Sequence, residues 1–266
     1  MRPVKLLIAA LALALGLLFA EAAADSYKID AVCLPESSAL HVSVELEYTN
    51  STGESLDRVT FALPANCFRR ISALPYGGDT LAKAFPWGYT PAGVQMERVE
   101  FASSPARYSF LQGGDVYFSV TATLEPGQTG TFRFVYTLLL SDNRAFLGCG
   151  DDVRLRLFYP VACPFRDGEA VTYPLSVCLH DVFALPAEHS LTLRVPKHYF
   201  AACGGDVTRS VLGDMAVYSA KLKDAGPLGL VLSKRFYEYA DESALGTGIS
   251  VSGNSRAGCR QALKLA

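Results

Sequence analysis

The sequence predicts an all-β fold: a multi-stranded antiparallel β-sandwich, or open barrel-like double sheet, with a short C-terminal helix. Three observations predict it. Apolar residues recur at every second position through most of the chain. Helical periodicity is nearly absent between Asp25 and Asp241, and 22 Gly and 14 Pro punctuate the sequence too often for long helices. Many short strands separated by such turns build two packed sheets.

Residues 1–24 read as a secretory leader. Arg2 and Lys5 precede an apolar run from Leu6 to Ala20, and Ala22, Ala23 and Ala24 supply the small residues of a cleavage site before Asp25. That run stops at Glu21, short of the ~20 apolar residues that a spanning helix needs, so no membrane span is expected after leader removal. The first strand is expected at Tyr27 to Leu34. In the next stretch Leu40, Val42, Val44, Leu46 and Tyr48 alternate with polar residues, the pattern of a half-buried strand, and the run ends in the turn cluster Asn50-Ser51-Thr52-Gly53. Alternation resumes at Val59, Phe61 and Leu63 until Pro64, whose missing N–H stops a ladder. These two segments are expected to be neighbouring antiparallel strands.

Val94 to Phe101 follows as a strand. Val116, Phe118, Val120, Ala122 and Leu124 then alternate up to Glu125-Pro126-Gly127-Gln128, where Pro and Gly suit the central positions of a type II turn. Phe132, Phe134, Tyr136 and Leu138 return on its far side. Further strands are expected at Val153 to Tyr159, Ser190 to Val195, Met215 to Leu222 and Leu228 to Tyr237. Residues 25–240 thus form the β-sandwich domain, and residues 241–266 a linker and the start of a helix. Asn254 or Ser255 is placed to cap that helix from Arg256 onward. A segment so short is marginal as an isolated helix, and its packing partner is expected to lie outside the β domain.

Composition excludes several function classes. Of 266 residues, 50% are hydrophobic and 19% charged, with a formal net charge of −2. A disordered tail, a collagen-like repeat and a basic nucleic-acid binder are excluded, and bulk charge attracts neither nucleic acid nor an anionic membrane. The leader implies a secreted or periplasmic location that permits disulfides. The seven cysteines, Cys33, Cys67, Cys149, Cys163, Cys178, Cys203 and Cys259, are odd in number, which leaves at least one without an intrachain partner.

No catalytic motif assembles. His41, His180, His189 and His198 are followed by Val, Asp, Ser and Tyr, so the zinc-protease pattern His-Glu-x-x-His is absent. No C-x-x-C occurs, and neither a metal site nor a cofactor is expected. Gly253-Asn254-Ser255-Arg256-Ala257-Gly258 has its second Gly one place late for a nucleophile elbow and follows no buried strand. Gly246-Thr247-Gly248 lacks the third Gly of a dinucleotide loop. Asp151-Asp152 and Asp167-Gly168-Glu169 read as solvated turn acids rather than calcium ligands. Phe85-Pro86-Trp87-Gly88-Tyr89 gathers three aromatics in a loop; Phe85, Trp87 and Tyr89 are the candidate contacts for a glycan or peptide, set against the simpler reading of rings packed onto the sheet.

The order of segments resembles the N-terminal β domain of gluzincin aminopeptidases, zinc exopeptidases of the aminopeptidase N type. The resemblance rests on Leu40 to Asn50 followed by Leu56 to Leu63 and Ala65-Asn66, on Phe85 to Gly93, on Leu124 to Gln128 with its returning strand, on Phe158-Tyr159-Pro160, and on Leu191 to Pro196 followed by Cys203-Gly204-Gly205. It spans about Tyr27 to Tyr237. In that family a thermolysin-like domain with Gly-x-Met-Glu-Asn and His-Glu-x-x-His comes next, and neither motif occurs here.

The resemblance implies an exported, non-catalytic β domain with a structural or cleft-covering role, whose partner is a helical metallopeptidase catalytic domain or another protein. The alternative is a free-standing extracellular module that binds peptide or glycan through the Phe85 to Tyr89 loop. An enzyme in its own right is not expected, because no nucleophile, base and orienting group can be named.

Overall fold

The computed structural model describes residues 24–74, 77–111, 114–142, 147–174, 184–242, 248–253 and 255–265. The predicted leader, except Ala24, lies outside them, as do Cys178 and His180. Among the described residues no helix is long and apolar enough to cross a membrane.

Period-two alternation does what it should. β2 (Ala39–Thr49) turns Leu40, Val42, Val44 and Leu46 inward and His41, Glu45 and Glu47 outward. It sits near the middle of an eight-stranded sheet. The order across that sheet is β16 (Asp206–Leu212), β17 (Met215–Ala225), β14 (Ala187–Pro196), β1 (Ser26–Leu34), β2, β8 (Thr129–Leu139), β4 (Gly93–Phe101) and β5 (Ser104–Pro105). All its pairs are antiparallel except β1 with β14, which run parallel with Ile29 opposite Leu191. A parallel pair needs a long crossover, and here β2 to β13 come between the two strands in sequence.

That layer consists of two four-stranded sheets. One orders β11 (Val161–Ala162), β3 (Leu56–Ala62), β7 (Tyr117–Leu124) and β6 (Tyr108–Phe110); the other orders β15 (Phe200–Cys203), β18 (Gly229–Ser233), β10 (Val153–Arg156) and β9 (Leu147–Cys149). Two ribbons complete the strands: β12 (Phe165–Arg166) with β13 (Glu169–Ala170), and β19 (Tyr237–Glu242) with β20 (Gly248–Gly253).

The pairing expected between Leu40–Tyr48 and Val59–Leu63 does not form. β2 pairs with β1 and β8, whereas β3 pairs with β7 and β11 in the other layer. The turn after β2 therefore carries the chain from one layer to the other. The second predicted return behaves likewise: Gly127 takes the positive φ of 75° that a type II turn requires, Gln128 N–H donates to Glu125 O at 2.9 Å, and the chain crosses from β7 back to β8.

Between the layers lies one apolar core. Phe132 and Phe134, two apart on β8, point into it and meet Phe61 of β3 edge-on at 5.2 and 5.0 Å, while Phe118 of β7 meets Phe134 at 5.9 Å. Edge-to-face rings suit the aromatic quadrupole. Elsewhere in the core the contacts turn polar at their tips. Tyr136 donates to Phe158 O at 2.8 Å, and Tyr27 and Tyr159 accept from the N–H groups of Ala162 and Leu228 at 2.9 and 2.7 Å. Each hydroxyl thereby satisfies a buried backbone group that would otherwise cost free energy.

Three further departures have local causes. The strand expected over Val153 to Tyr159 stops at Arg156, because Leu157 takes a positive φ of 52° that no ladder tolerates. A seven-residue helix, α1 (Gly78–Ala84), is too short to show a period in sequence. The stretch read as a linker from residue 241 contributes to the β19–β20 hairpin. Beyond it α2 (Arg256–Leu265) begins at Ser255, whose hydroxyl accepts the Gly258 N–H at 3.2 Å as a cap. α2 packs on that hairpin: Cys259 is buried with its thiol 3.6 Å from Tyr237 O, and the Arg256 guanidinium lies over the Tyr237 ring at 4.8 Å.

Candidate functional site

The aromatic loop is divided between core and solvent. α1 ends with Phe85 N–H donating to Leu81 O at 2.9 Å, and this places the Phe85 ring against Phe68 at 6.3 Å and Tyr89 at 5.2 Å, where it is 4% exposed. Tyr89 is half-buried, and its hydroxyl donates to Phe68 O at 2.6 Å. Trp87 alone projects, at 75% exposed. The three candidate contacts are thus neighbours in sequence without forming one aromatic platform.

What holds this loop is Asn66, whose side-chain amide donates to Asp115 O at 2.8 Å and whose oxygen accepts the Val94 N–H at 2.9 Å. Gly93 closes the loop at φ 140°, and a Cβ there would stand 2.7 Å from Arg69 Cγ. The chain is tied down by a buried hydrogen bond at Val94, just past the loop.

A cavity of ≈ 1010 Å³ opens where β1 begins and β2 ends, beneath the β12–β13 hairpin. Asp25, Tyr27, Tyr48, Arg58, Cys163 and Phe165 are among its walls. Burial pushes the Asp25 carboxyl up to about 6, against the opposing effect of the Thr49 N–H that it accepts at 3.1 Å. Burial also pushes the Cys163 thiol up to about 12. A thiol of that kind is protonated near neutrality and is a poor nucleophile. No histidine is among the lining residues to take its proton. This cavity can hold a polar group.

The histidines are dispersed. His41 lies on the outer face of the large sheet, bonded to the Thr137 hydroxyl at 2.9 Å, which in turn donates to Glu97 at 2.8 Å. His189 is buried, stacked on Tyr27 at 5.1 Å, and burial holds it below the ordinary histidine range. His198 lies against Tyr199 at 4.9 Å. Among the described residues no group of three His, Cys, Asp or Glu side chains is placed to hold a metal. Six cysteines are described, and all six are free thiols. Ser255, the serine of the elbow-like segment, is occupied as a helix cap. Asp167 and Gly168 form the turn of the β12–β13 hairpin, both at positive φ.

One large mixed sheet faced by two small ones defines a particular class of all-β domain, and it resembles the N-terminal domain of M1 zinc metallopeptidases. Among solved structures, an M1 zinc metallopeptidase from Deinococcus radiodurans superposes with a TM-score of 0.53 at 15% identity, covering 86% of this chain and 46% of that one. A mutant M1 enzyme from Deinococcus radiodurans bound to a Tyr-Ser-Ala substrate gives 0.52 at 16% identity with the same coverage. A two-domain M1 zinc metallopeptidase mutant bound to L-arginine gives 0.52 at 14%. The chain therefore spans about half the length of the structures it matches. No protein-family model and no curated protein matches the sequence.

Proposed function

We propose that this chain is an exported, non-catalytic β domain that covers one side of a helical metallopeptidase catalytic domain or another protein. The observation that carries the reading is the asymmetry of the match: 86% of this chain corresponds to 46% of an enzyme. The absence of His-Glu-x-x-His from the 266 residues agrees with it. The purified chain, assayed on aminoacyl p-nitroanilides with and without zinc, is expected to release no chromophore. Chelator-sensitive turnover would overturn the non-catalytic part of the reading. Capture of the tagged chain from the exporting cell is expected to bring down, in stoichiometric amount, a protein carrying His-Glu-x-x-His or another single partner, and capture of neither would count against the covering role.

A second reading, a free-standing module for peptide or glycan, is favoured by the exposure of Trp87. Under that reading Trp87→Ala abolishes binding on a glycan or peptide array.

A further inference from the structure

The two outer strands of the large sheet are built in opposite ways. At one side β5 is two residues long and contains Pro105, which has no N–H to offer a further strand. At the other side β16 is seven residues long, contains no proline, pairs only with β17 among the described residues, and is exposed at every position. Natural sheets usually blunt such an edge. Here it is left open over its full length.

Beside this edge lies a second open one. β15 is the outer strand of its own small sheet, and it joins β16 through Gly204 and Gly205. Gly205 stands at φ 85°, where a Cβ would be 2.3 Å from Lys221 O, so the turn is sharp and the two edges stay close. Between them runs a groove of ≈ 640 Å³ with Phe200, Ala202, Val207, Tyr218 and Phe236 among its walls and Arg209 in it.

Arg209 is held in place. Its guanidinium lies over the rings of Phe200 and Tyr218 at 5.3 and 5.7 Å, Nε donates to the Tyr218 hydroxyl at 2.9 Å, and Nη2 donates to Lys197 O at 2.9 Å. Nη1 has no hydrogen-bond acceptor among the described residues. A positioned cation with spare donors, walled by aromatic and aliphatic side chains, complements a carboxylate carried on an apolar segment.

We propose that the β16 edge binds an extended peptide segment with the pattern apolar-x-acidic-x-apolar, added as a ninth strand of the large sheet. The register supplies the pattern. Val207, Arg209 and Val211 share one face of β16, since side chains alternate along a strand. An antiparallel strand with its acidic residue opposite Arg209 sets the residues two before and two after it opposite Val211 and Val207. Those cross-strand neighbours interact directly. Backbone hydrogen bonds to the open edge supply affinity, and the three side-chain positions supply choice. This inference stands apart from the covering role proposed above, because it concerns a peptide and the free edge alone.

The test is fluorescence anisotropy with the full chain and the labelled heptapeptide Thr-Val-Thr-Glu-Thr-Val-Thr. Saturable binding is expected, weakened at least tenfold when the central Glu is replaced by Lys and lost when the two Val residues, whose N–H groups face β16 opposite Val207 and Val211, are replaced by Pro, which stays apolar but removes ladder donors. Arg209→Glu is expected to reverse the preference toward the Lys peptide. Leu212→Lys, on the opposite face of the strand, is expected to leave both affinities within twofold. No saturable binding, or binding that ignores both the central charge and the prolines, overturns the proposal. The proline peptides need no altered protein, so a variant that fails to fold does not shield it.

Discussion

The side-chain amide of Asn50 donates to the carbonyl of Leu124 at 2.9 Å, and so fastens the place where the chain leaves the large sheet to the place where it comes back. The same amide donates to Glu54 O at 2.8 Å, and its oxygen accepts the Thr52 N–H at 3.0 Å. The backbone joins in, with Asn50 N–H donating to Gln128 O and Gly127 N–H donating to Asn50 O. Asn50 is fully buried. Two crossings that are 74 residues apart are thus held as one corner.

Asn50→Ala leaves the buried Leu124 carbonyl without its partner, and with it the partly buried Glu54 carbonyl and Thr52 N–H. A buried group left unpaired costs about 1–3 kcal/mol and a partly exposed one less, so a loss of roughly 3 kcal/mol is expected by urea unfolding. Thr52→Ala removes only the exposed side of the corner and is expected to cost about 1 kcal/mol or less. Equal effects from the two substitutions would show that the corner is not organised by Asn50.

This corner also marks what period two reveals and what it hides. Alternation from Leu40 to Tyr48 states which side chains face the core, and the structure agrees with it residue by residue. It does not state which strand lies alongside. Nearness in sequence favours β3 as the neighbour of β2, yet a fully buried Asn at the end of the strand diverts the chain instead. Nothing local could reveal the parallel pairing of Ser26–Val32 with Glu188–Arg194, which are separated in sequence by twelve other strands. In the aromatic loop the sequence shows three rings but not the short α1 that turns Phe85 inward. Arg209 carried no signal at all, because its partners Phe200, Tyr218 and Lys197 meet only after three strands have assembled.

His189 and acid. Burial disfavours the charged imidazole, so its pKa in the folded chain lies below the 6.5 of an unfolded one. Below about pH 6.5 the unfolded chain therefore binds more protons than the folded chain, and stability falls as pH falls. Among the described residues Nδ1 of His189 is buried without a hydrogen-bond partner, so replacing the ring with a carbon one removes a cost. Around His189 stand the Tyr27 and Tyr159 rings, neutral in this range. His189→Phe is expected to be at least as stable at pH 7 and to lose less stability between pH 6.5 and 5, measured by urea midpoints across that range. An unchanged slope would exclude His189 as its source.

Asp25 has the opposite sign. Its pKa is raised from 3.8 to about 6 on folding, so the folded chain keeps a proton that the unfolded chain has released, and stability falls as pH rises from about 4 to 6. Above pH 6 that cost is fully present. Asp25→Asn keeps an oxygen for the Thr49 N–H and removes the charge, and is expected to raise stability at pH 7 by about 2 kcal/mol, with no gain at pH 3.5. The comparison belongs on a chain that retains Ala24. Leader removal before Asp25 would set an ammonium beside the carboxylate and erase much of the difference.

Thiol reactivity should follow burial. Cys33, Cys67 and Cys163 are pushed up to about 12, while Cys149 and Cys203 are only partly buried and raised less. With a thiol reagent at pH 8 the native reduced chain is expected to label Cys149 and Cys203 before Cys33, Cys67 and Cys163, which follow at least ~100-fold more slowly, because the thiolate is the attacking form. Peptide mapping after timed quenching reads the order. Labelling of Cys33 before Cys203 would refute it.

Deleting the C-terminal helix separates local from global stability. α2 has one buried side chain, Cys259, set against the β19–β20 hairpin, and its other described residues are exposed or half-buried. Cys259 does not belong to the central core, which among the described residues contains none beyond Leu232. A helix is stabilised chiefly by the face it buries, and a helix attached only to the hairpin has little to transmit to the sheets. Ending the chain at Gly253 is therefore expected to shift the urea midpoint of the sandwich by less than about 0.5 kcal/mol. Amides of the hairpin, which lose their cover, are expected to exchange much faster, while those of β2 and β8 keep their protection. A global loss of about 2 kcal/mol or more would mean that the hairpin and helix are part of the sandwich's own core, and that the molecule unfolds as one unit from Tyr27 to Leu263.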